Sequence, residues 1–321
     1  MSNPLVSIIT PCYNGEAYLD RYFNSILNQT YRPLELIFVN DGSTDRTAEI
    51  AEHYAPVLKE NGISFICLYQ ENAGQAAALN RGLKLFTGEY LTWPDADDEM
   101  TPDCIEKKVS FLQSNPELEM CICKGTQVLE EKPSESIGML ERIPPACDDN
   151  LFEDLMFLRN VFYTPGGYMV RTDAVEEAIP QRDIYPGRGG QNVQMLLPIA
   201  YRRRYGYIND VLFKYYVRAN SHSHSVDTVE SVIKQYAYFE RLLLETLKRM
   251  PEQLYSQYSR TIQKKYARIR FGNALDSRNP CLILQSYREL QHSGSATFMD
   301  WIRLVRYVNP ARIYRHTKMG D

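Results

Sequence analysis

Four short runs of apolar and β-branched residues dictate what the first third of this chain can fold into. They are "LVSIIT" (5–10), "LELIFVN" (34–40), "ISFICLY" (63–69) and "EYLTW" (89–93). They run apolar almost without a break, which marks strands covered on both faces. Helical spacing fills the gaps. Leu19, Tyr22, Phe23, Ile26 and Leu27 share one face, Thr47, Ala51, Ala55 and Leu58 another, and "QAAALNRGLKLF" (75–86) is built from strong helix formers. A further strand is expected at "ELEMCICKG" (117–125). Strands alternating with helices predict an α/β fold with a mostly parallel, Rossmann-like sheet flanked by helices. Ligands of such sheets bind beyond the carboxyl ends of the strands. The unusual polar residues all follow strands: Pro11-Cys12-Tyr13-Asn14, Asp41-Gly42-Ser43, Asn72 with Gly74, and Asp95-Ala96-Asp97.

The rhythm is lost over 126–190, where "EEKPSES", "RIPPACDDN", "YTPGGY" and "YPGRGG" read as loops and short elements. It changes again near 226. Asp227 and Glu230 have the spacing of an N-cap and its N3 partner, and Val229, Val232, Ile233, Tyr236, Leu243 and Leu247 follow as a helical stripe. The expected organisation is a domain over 1–225, with halves 1–125 and 126–225, and a helical C-terminal extension over 226–321.

A net charge of −4 excludes the basic field that gathers nucleic acid. No apolar run approaches the ~18–20 residues that span a bilayer, and Met1-Ser2-Asn3-Pro4 does not read as a secretory signal. Seven scattered cysteines with no C-x-x-C read as reduced core thiols, so the expected location is cytoplasmic.

The stretch "TWPDADDEM" (92–100) places Asp95, Asp97, Asp98 and Glu99 within five residues. A plain turn leading into a helix is one reading. The other is a cation site, because neighbouring carboxylates resist full ionisation unless a positive charge sits among them. Oxygen donors of this kind suit Mg²⁺ or Mn²⁺, which bind one or two carboxylates together with a substrate's phosphates. A calcium loop fits poorly, since its sixth position requires glycine and here is Met100. Neither G-x-x-x-x-G-K-[ST] nor G-x-G-x-x-G follows the first strand, so a nucleotide would be held by other means.

"VSIITPCYNGEAYL", "ELIFVNDGSTDRT", "QENAGQAAALNRGL" and "YLTWPDADDEM" together resemble, in order and spacing, the family 2 glycosyltransferases with the GT-A fold. The resemblance implies transfer of a sugar from a nucleotide diphosphate donor, typically UDP-linked, onto a glycan or lipid-linked saccharide of bacterial surface polysaccharide. It implies a nucleotide site built from Pro11, Tyr13, Asn14, Glu16, Asp41, Gly42 and Ser43, with Asp41 bonded to the base. Asn72, Gly74, Ala77, Asn80 and Arg81 would line the donor pocket. Asp95 and Asp97 would be the D-x-D pair, Asp95 near the ribose and metal, Asp97 on the metal. Plain structural roles are also open: Asp45 as a helix cap, Asn14 as an N-cap, Asn80 as a loop anchor.

The family commonly takes its general base from a Glu-Asp pair. The matching segment, "YPGRGGQNVQMLLPIAYR" (185–202), has Gln191-Asn192 instead, and an amide is no base near neutral pH. Asp183 is the first candidate for the base and Asp98 the second, while Gln191 and Asn192 would face the acceptor. In "NSHSHS" (220–225), His222 or His224 is a candidate metal ligand by analogy with C-terminal histidines of some GT-A enzymes, or a member of a polar linker. The tail from Asp300 sets five Lys/Arg against two Asp among Trp301, Ile302, Leu304, Val305, Tyr307 and Val308. That is the pattern of a helix packed on its own domain or lying on a membrane at 300–318. Two other classes stay open: a non-catalytic module that binds nucleotide-sugar or glycan, and a nucleotidyltransferase. The latter wants a basic Gly-rich loop after the first strand, and Pro11–Glu16 has no Lys or Arg.

Overall fold

The computed structural model describes residues 3–143, 149–187, 189–201, 204–218 and 228–308. Contacts divide the chain into two compact units, Met1–Arg218 and Ala219–Asp321.

In the first unit β1 (Val6–Cys12), β2 (Leu34–Asn40), β3 (Ile63–Tyr69) and β4 (Tyr90–Thr92) pair in parallel in the order β3-β2-β1-β4. Every residue of β1 and β2 is buried, which is why neither alternates in polarity. The crossovers are α1 (Leu19–Leu27), α2 (Thr47–Glu60) and α3 (Gln75–Leu83). α1 buries Leu19, Tyr22, Phe23 and Ile26 on one face. Phe23 stacks on Tyr54 of α2 at 4.7 Å between centroids and meets Phe38 of β2 at 5.4 Å. Truncating such a buried ring to alanine costs about 3–5 kcal/mol. α3 lies so close to β1 that a Cβ on Gly82 would stand 2.3 Å from Ile9 Cγ2. These contacts hold three crossovers rigidly, so the loops at the carboxyl ends of the strands start from fixed points.

The sheet then continues β4-β8-β6-β9-β5, and this half is mixed rather than parallel. β5 is Glu99–Met100, β6 Met120–Leu129, β7 Lys132–Leu140, β8 Tyr168–Arg171 and β9 Tyr205–Val217. Only β6 and β9 run parallel; β8 is antiparallel to both β4 and β6, and β5 to β9. The expectation of loops over 126–190 is therefore corrected: β6 and β7 form a long antiparallel hairpin. β7 escapes the sequence pattern because almost every residue in it is exposed, and Pro133 is tolerated on such an edge. α4 (Cys104–Ser114), α5 (Leu151–Phe157), α6 (Thr172–Ala178) and α7 (Gln191–Ala200) pack alongside, with a 3-10 turn at Pro165–Gly167. Lys108 of α4 is wholly buried and donates to the Gly166 carbonyl at 2.6 Å, fixing that turn.

The second unit is helical: α8 (Val229–Lys248), α9 (Glu252–Ser277), α10 (Pro280–His292) and α11 (Phe298–Val308). The N-cap of α8 is Thr228, whose side chain accepts from Ser231 N; Asp227 lies outside the described residues. Ala267, Phe271, Ala274, Ile283, Tyr287 and Leu290 form the core, against which Leu304 and Val308 rest. The six described cysteines are free, and Cys281 is exposed rather than in the core; Cys147 lies outside the described residues.

Candidate active site

The loops after β1 and β2 are tied together by their own side chains. Asn14 adopts a left-handed φ of 52°, donates its N–H to Ser43 Oγ at 2.9 Å and accepts from Thr44 N at 2.9 Å. It is thus a bridge between loops and not the N-cap of α1, which is Tyr18. Glu16 pairs with Arg46 at 2.6 Å. Asp45 accepts from Glu16 N and Thr47 N, so it fastens the start of α2 as a cap would. Pro11 is buried in β1, while Tyr13 is 41% exposed and leaves a ring face open beside these loops.

Asp41, at the carboxyl end of β2, is 3% exposed. Its Oδ1 accepts from Gln70 Nε2 at 2.6 Å and Ala73 N at 2.9 Å, and its Oδ2 from Gly74 N at 2.8 Å. A carboxylate has about four acceptor positions, so one remains on Oδ2. Gly42 adopts φ 72°, and a Cβ there would stand 2.6 Å from Asn72 N, so only glycine lets the two loops meet. Asn72 itself is exposed, and Gly74 at φ 92° opens α3. Ala77 is half-buried on α3. Asn80 is not open toward a ligand: it donates to the Ile184 carbonyl and accepts from Ile184 N, both at 2.8 Å. Arg81 Nη1 donates to the Tyr69 carbonyl at 2.5 Å.

The acidic cluster follows β4. Thr10 Oγ1 of β1 donates to the Pro94 carbonyl at 3.1 Å and sets the exit of the chain. Asp95, Asp97 and Asp98 each bring one carboxylate oxygen to within 4.8 Å of the others. Burial, and then the charge of Asp97, push the Asp95 carboxyl up to about 8. Asp98 is 2% exposed, and burial followed by the charges of Asp97 and Asp95 holds its carboxyl far above the usual range. Neither Asp98 oxygen has a hydrogen-bond partner of ordinary geometry among the described residues. The cluster is short of positive charge for three acids.

Two arginines supply part of it. Arg218, directly after β9, pairs its guanidinium with Asp97 Oδ2 and lies over the Tyr18 ring at 4.6 Å. Arg21 of α1 donates to the Asp97 carbonyl at 2.9 Å, stacks on Tyr216 at 3.6 Å and reaches Glu130 at 3.3 Å. The Tyr216 hydroxyl donates to Glu99 at 2.6 Å, with Lys214 at 3.4 Å, so Glu99 belongs to this supporting network. Sequence reasoning missed both arginines. Arg218 obeys the same rule as the residues that were found, since it too follows the end of a strand.

On the other side of the cluster, Trp93 Nε1 donates to Asn192 Oδ1 at 3.2 Å at the start of α7. Gln191 is buried. Asp183 is half-buried between Arg182, which holds the Phe86 carbonyl at 2.9 Å, and the clamped Ile184. His222 and His224 lie outside the described residues.

The family model described as Glycosyl transferase family 2 matches residues 7–177, more than half of the chain, and the chain belongs to that family. Among curated relatives, an uncharacterized glycosyltransferase of Rickettsia typhi is 38% identical over 130 residues, 40% of this chain and 39% of that protein. One of Haemophilus influenzae is 35% identical over 162 residues, 50% of this chain and 49% of that protein. The chain spans 39% to 57% of the length of the first such relatives. Among solved structures, TarS of S. aureus in complex with UDP-GlcNAc superposes with a TM-score of 0.55 at 17% identity, over 90% of this chain and 91% of that one. The mannosyltransferase PcManGT of Pyrobaculum calidifontis, in complex with GDP-Man and Mn²⁺, gives 0.55 at 16% identity, over 98% and 84%. At these identities the likeness is one of fold, and the fold is GT-A.

Proposed function

We propose that the chain is a glycosyltransferase that moves a sugar from a nucleotide diphosphate donor, with UDP as the leaving group, onto a saccharide or lipid-linked acceptor. The observation that carries this reading is the convergence of three carboxylates, Arg218 and the Asp41 loop on one edge of the sheet. A base-binding floor and a charge-handling cluster on one edge are what a nucleotide-sugar needs.

The donor set fits a divalent cation: three hard oxygen donors lie close together, and Asp98 has two buried oxygens with no hydrogen-bond partner of ordinary geometry among the described residues. Asp95 and Asp97 would hold Mn²⁺ or Mg²⁺, with Asp98 behind them. Such an ion, when bound, offsets charge developing on the departing diphosphate. Arg218 adds a fork of donors suited to phosphate oxygens beside the same acids. Tyr13 offers its exposed ring to the base, and Asp41 keeps one acceptor position for it. Positioning and leaving-group stabilisation then contribute most of the rate.

The acceptor hydroxyl must lose a proton, and Gln191 and Asn192 offer no basic group. The Asn192 carbonyl is already engaged by Trp93. Asp183 is the residue assigned here as base, with Gln191 and Asn192 shaping the acceptor side. Asp98 is a poorer second choice because it is 2% exposed. The rival reading, a GT-A module that binds donor or glycan without turnover, draws its support from Gln191-Asn192. Incubation with UDP- and GDP-sugars, with and without Mn²⁺, separates the two. Nucleoside diphosphate release that depends on Mn²⁺ supports transfer chemistry, while saturable binding with no release supports the module. The proposed place of action is the cytoplasmic side of a membrane that presents a lipid-linked acceptor to the 300–318 stretch.

A further inference from the structure

α11 presents an unusual surface for a helix that is not spanned by neighbours. Phe298 is 72% exposed, Trp301 48% and Val305 44%, and Met299, Ile302 and Tyr307 are exposed as well. At about 100° per residue, Phe298, Trp301, Ile302 and Val305 share one arc. Leu304 and Val308 turn the adjacent side toward the core of α9 and α10. Phe298 and Trp301 stack in the open at 5.7 Å with planes 19° apart.

The polar residues are as informative. The one carboxylate of α11, Asp300, is 1% exposed. It accepts from Thr297 N at 2.9 Å and Thr297 Oγ1 at 2.7 Å, while Asp300 N reaches Thr297 Oγ1 at 3.3 Å, a reciprocal cap. Arg268 of α9 pairs with it at 3.2 Å. The acid is thereby withdrawn from the surface. What the helix shows to solvent is an apolar arc bordered on one side by Arg306 and, beyond it, Arg303. Arg303 stays 56% exposed although it lies 3.6 Å from Asp300. In sequence, 309–321 adds Arg312, Arg315 and Lys318 against Asp321. An aromatic apolar arc with arginines at its border and no free acid suits the boundary of a lipid layer with anionic headgroups. A second protein copy would offer the same positive charge and repel it. No helix among the described residues is long and apolar enough to cross a membrane, so contact would lie in the surface plane.

We propose that the exposed face of α11, with Phe298, Trp301, Ile302 and Val305 as its apolar arc and Arg303 and Arg306 beside it, is an interfacial anchor for anionic lipid headgroups. This deepens the membrane placement proposed for the enzyme and is independent of its transfer chemistry.

The chain has two tryptophans, and Trp93 is buried at 1% exposure, so a change in emission on adding lipid reports Trp301. The full chain is mixed with vesicles of phosphatidylcholine alone or with phosphatidylglycerol added. The expected result is a blue shift and co-sedimentation with the anionic vesicles, weakening as salt rises. The double substitution R303Q/R306Q lowers partitioning on the order of 25-fold, at about 1 kcal/mol per charge near such a surface. F298S/V305S abolishes the shift while its melting temperature stays near that of the parent, because both residues are already exposed. UDP binding measured in the same samples stays unchanged, so failure of the lipid proposal and failure of the donor reading are distinguishable. Absence of binding to anionic vesicles, or equal binding to neutral ones, overturns the proposal. So does self-association without lipid that blue-shifts Trp301 and is lost in F298S/V305S, which assigns the face to a second copy.

Discussion

The guanidinium of Arg218 is paired with Asp97 Oδ2 while lying over the ring of Tyr18. Arg218 therefore competes with any cation for Asp97, yet offers its own charge to a diphosphate. The two effects have opposite signs, and this gives a sharp expectation for Arg218→Met. Mn²⁺ alone should bind more tightly, and UDP in saturating Mn²⁺ should bind roughly tenfold more weakly, the loss of one charge-assisted contact. Calorimetric titration of the two ligands separately checks this. A parallel change in both affinities would show that Arg218 does not stand between them.

Asp41 is a rivet for the loop ahead of α3 before it is anything else. Asp41→Asn keeps one acceptor but places an NH₂ against backbone N–H groups. The expected cost is about 1–3 kcal/mol of stability, together with weakened UDP binding. Chemical denaturation and calorimetry measure both. Unchanged stability with lost UDP binding would make Asp41 a ligand contact only.

The acidic cluster should make the metal-free protein sensitive to base. The folded-state value of Asp95, about 8, lies above its unfolded value, so the folded state holds the proton across the interval between. That contribution is complete below the unfolded value and is lost as pH rises through about 8. Asp98 shifts in the same direction. In chelator, Asp95→Asn should melt above the parent at pH 8, with the gap closing toward pH 4–5. A gap independent of pH, or of the opposite sign, would contradict the burial of an uncompensated acid.

Asp183→Asn tests the base. Loss of a general base costs about 10²- to 10⁴-fold in kcat and leaves donor binding intact. Steady-state turnover beside a UDP titration reads the two quantities, and near-normal kcat removes Asp183 from the role.

Strands β1, β2 and β4 were legible because burial on both faces leaves no alternative to continuous apolar runs, and β3, the half-exposed edge strand, because its apolar run is nearly unbroken. The acids that follow them were legible because position at a strand end and residue type agree. β7 was hidden by its exposure, and β5, at two residues, carries no pattern at all. The roles of Asp41 and Asn80 were hidden for another reason. Their partners stand 29 to 33 and 104 residues away, and they are mostly main-chain groups, which leave no mark on residue identity. Arg218 was missed with β9, because the strand that delivers it is only patchily buried and mixes apolar with polar residues.

The clamp of Asn80 on Ile184 has an evolutionary consequence. Both of its hydrogen bonds go to the main chain, so the clamp reads the path of the segment and not its side chains. Residues 185 to 187 can drift in sequence while the segment stays anchored beside α3 and Asp183 keeps its place. A lineage could in this way exchange acceptors by changing a few positions there, with the donor half left as it is.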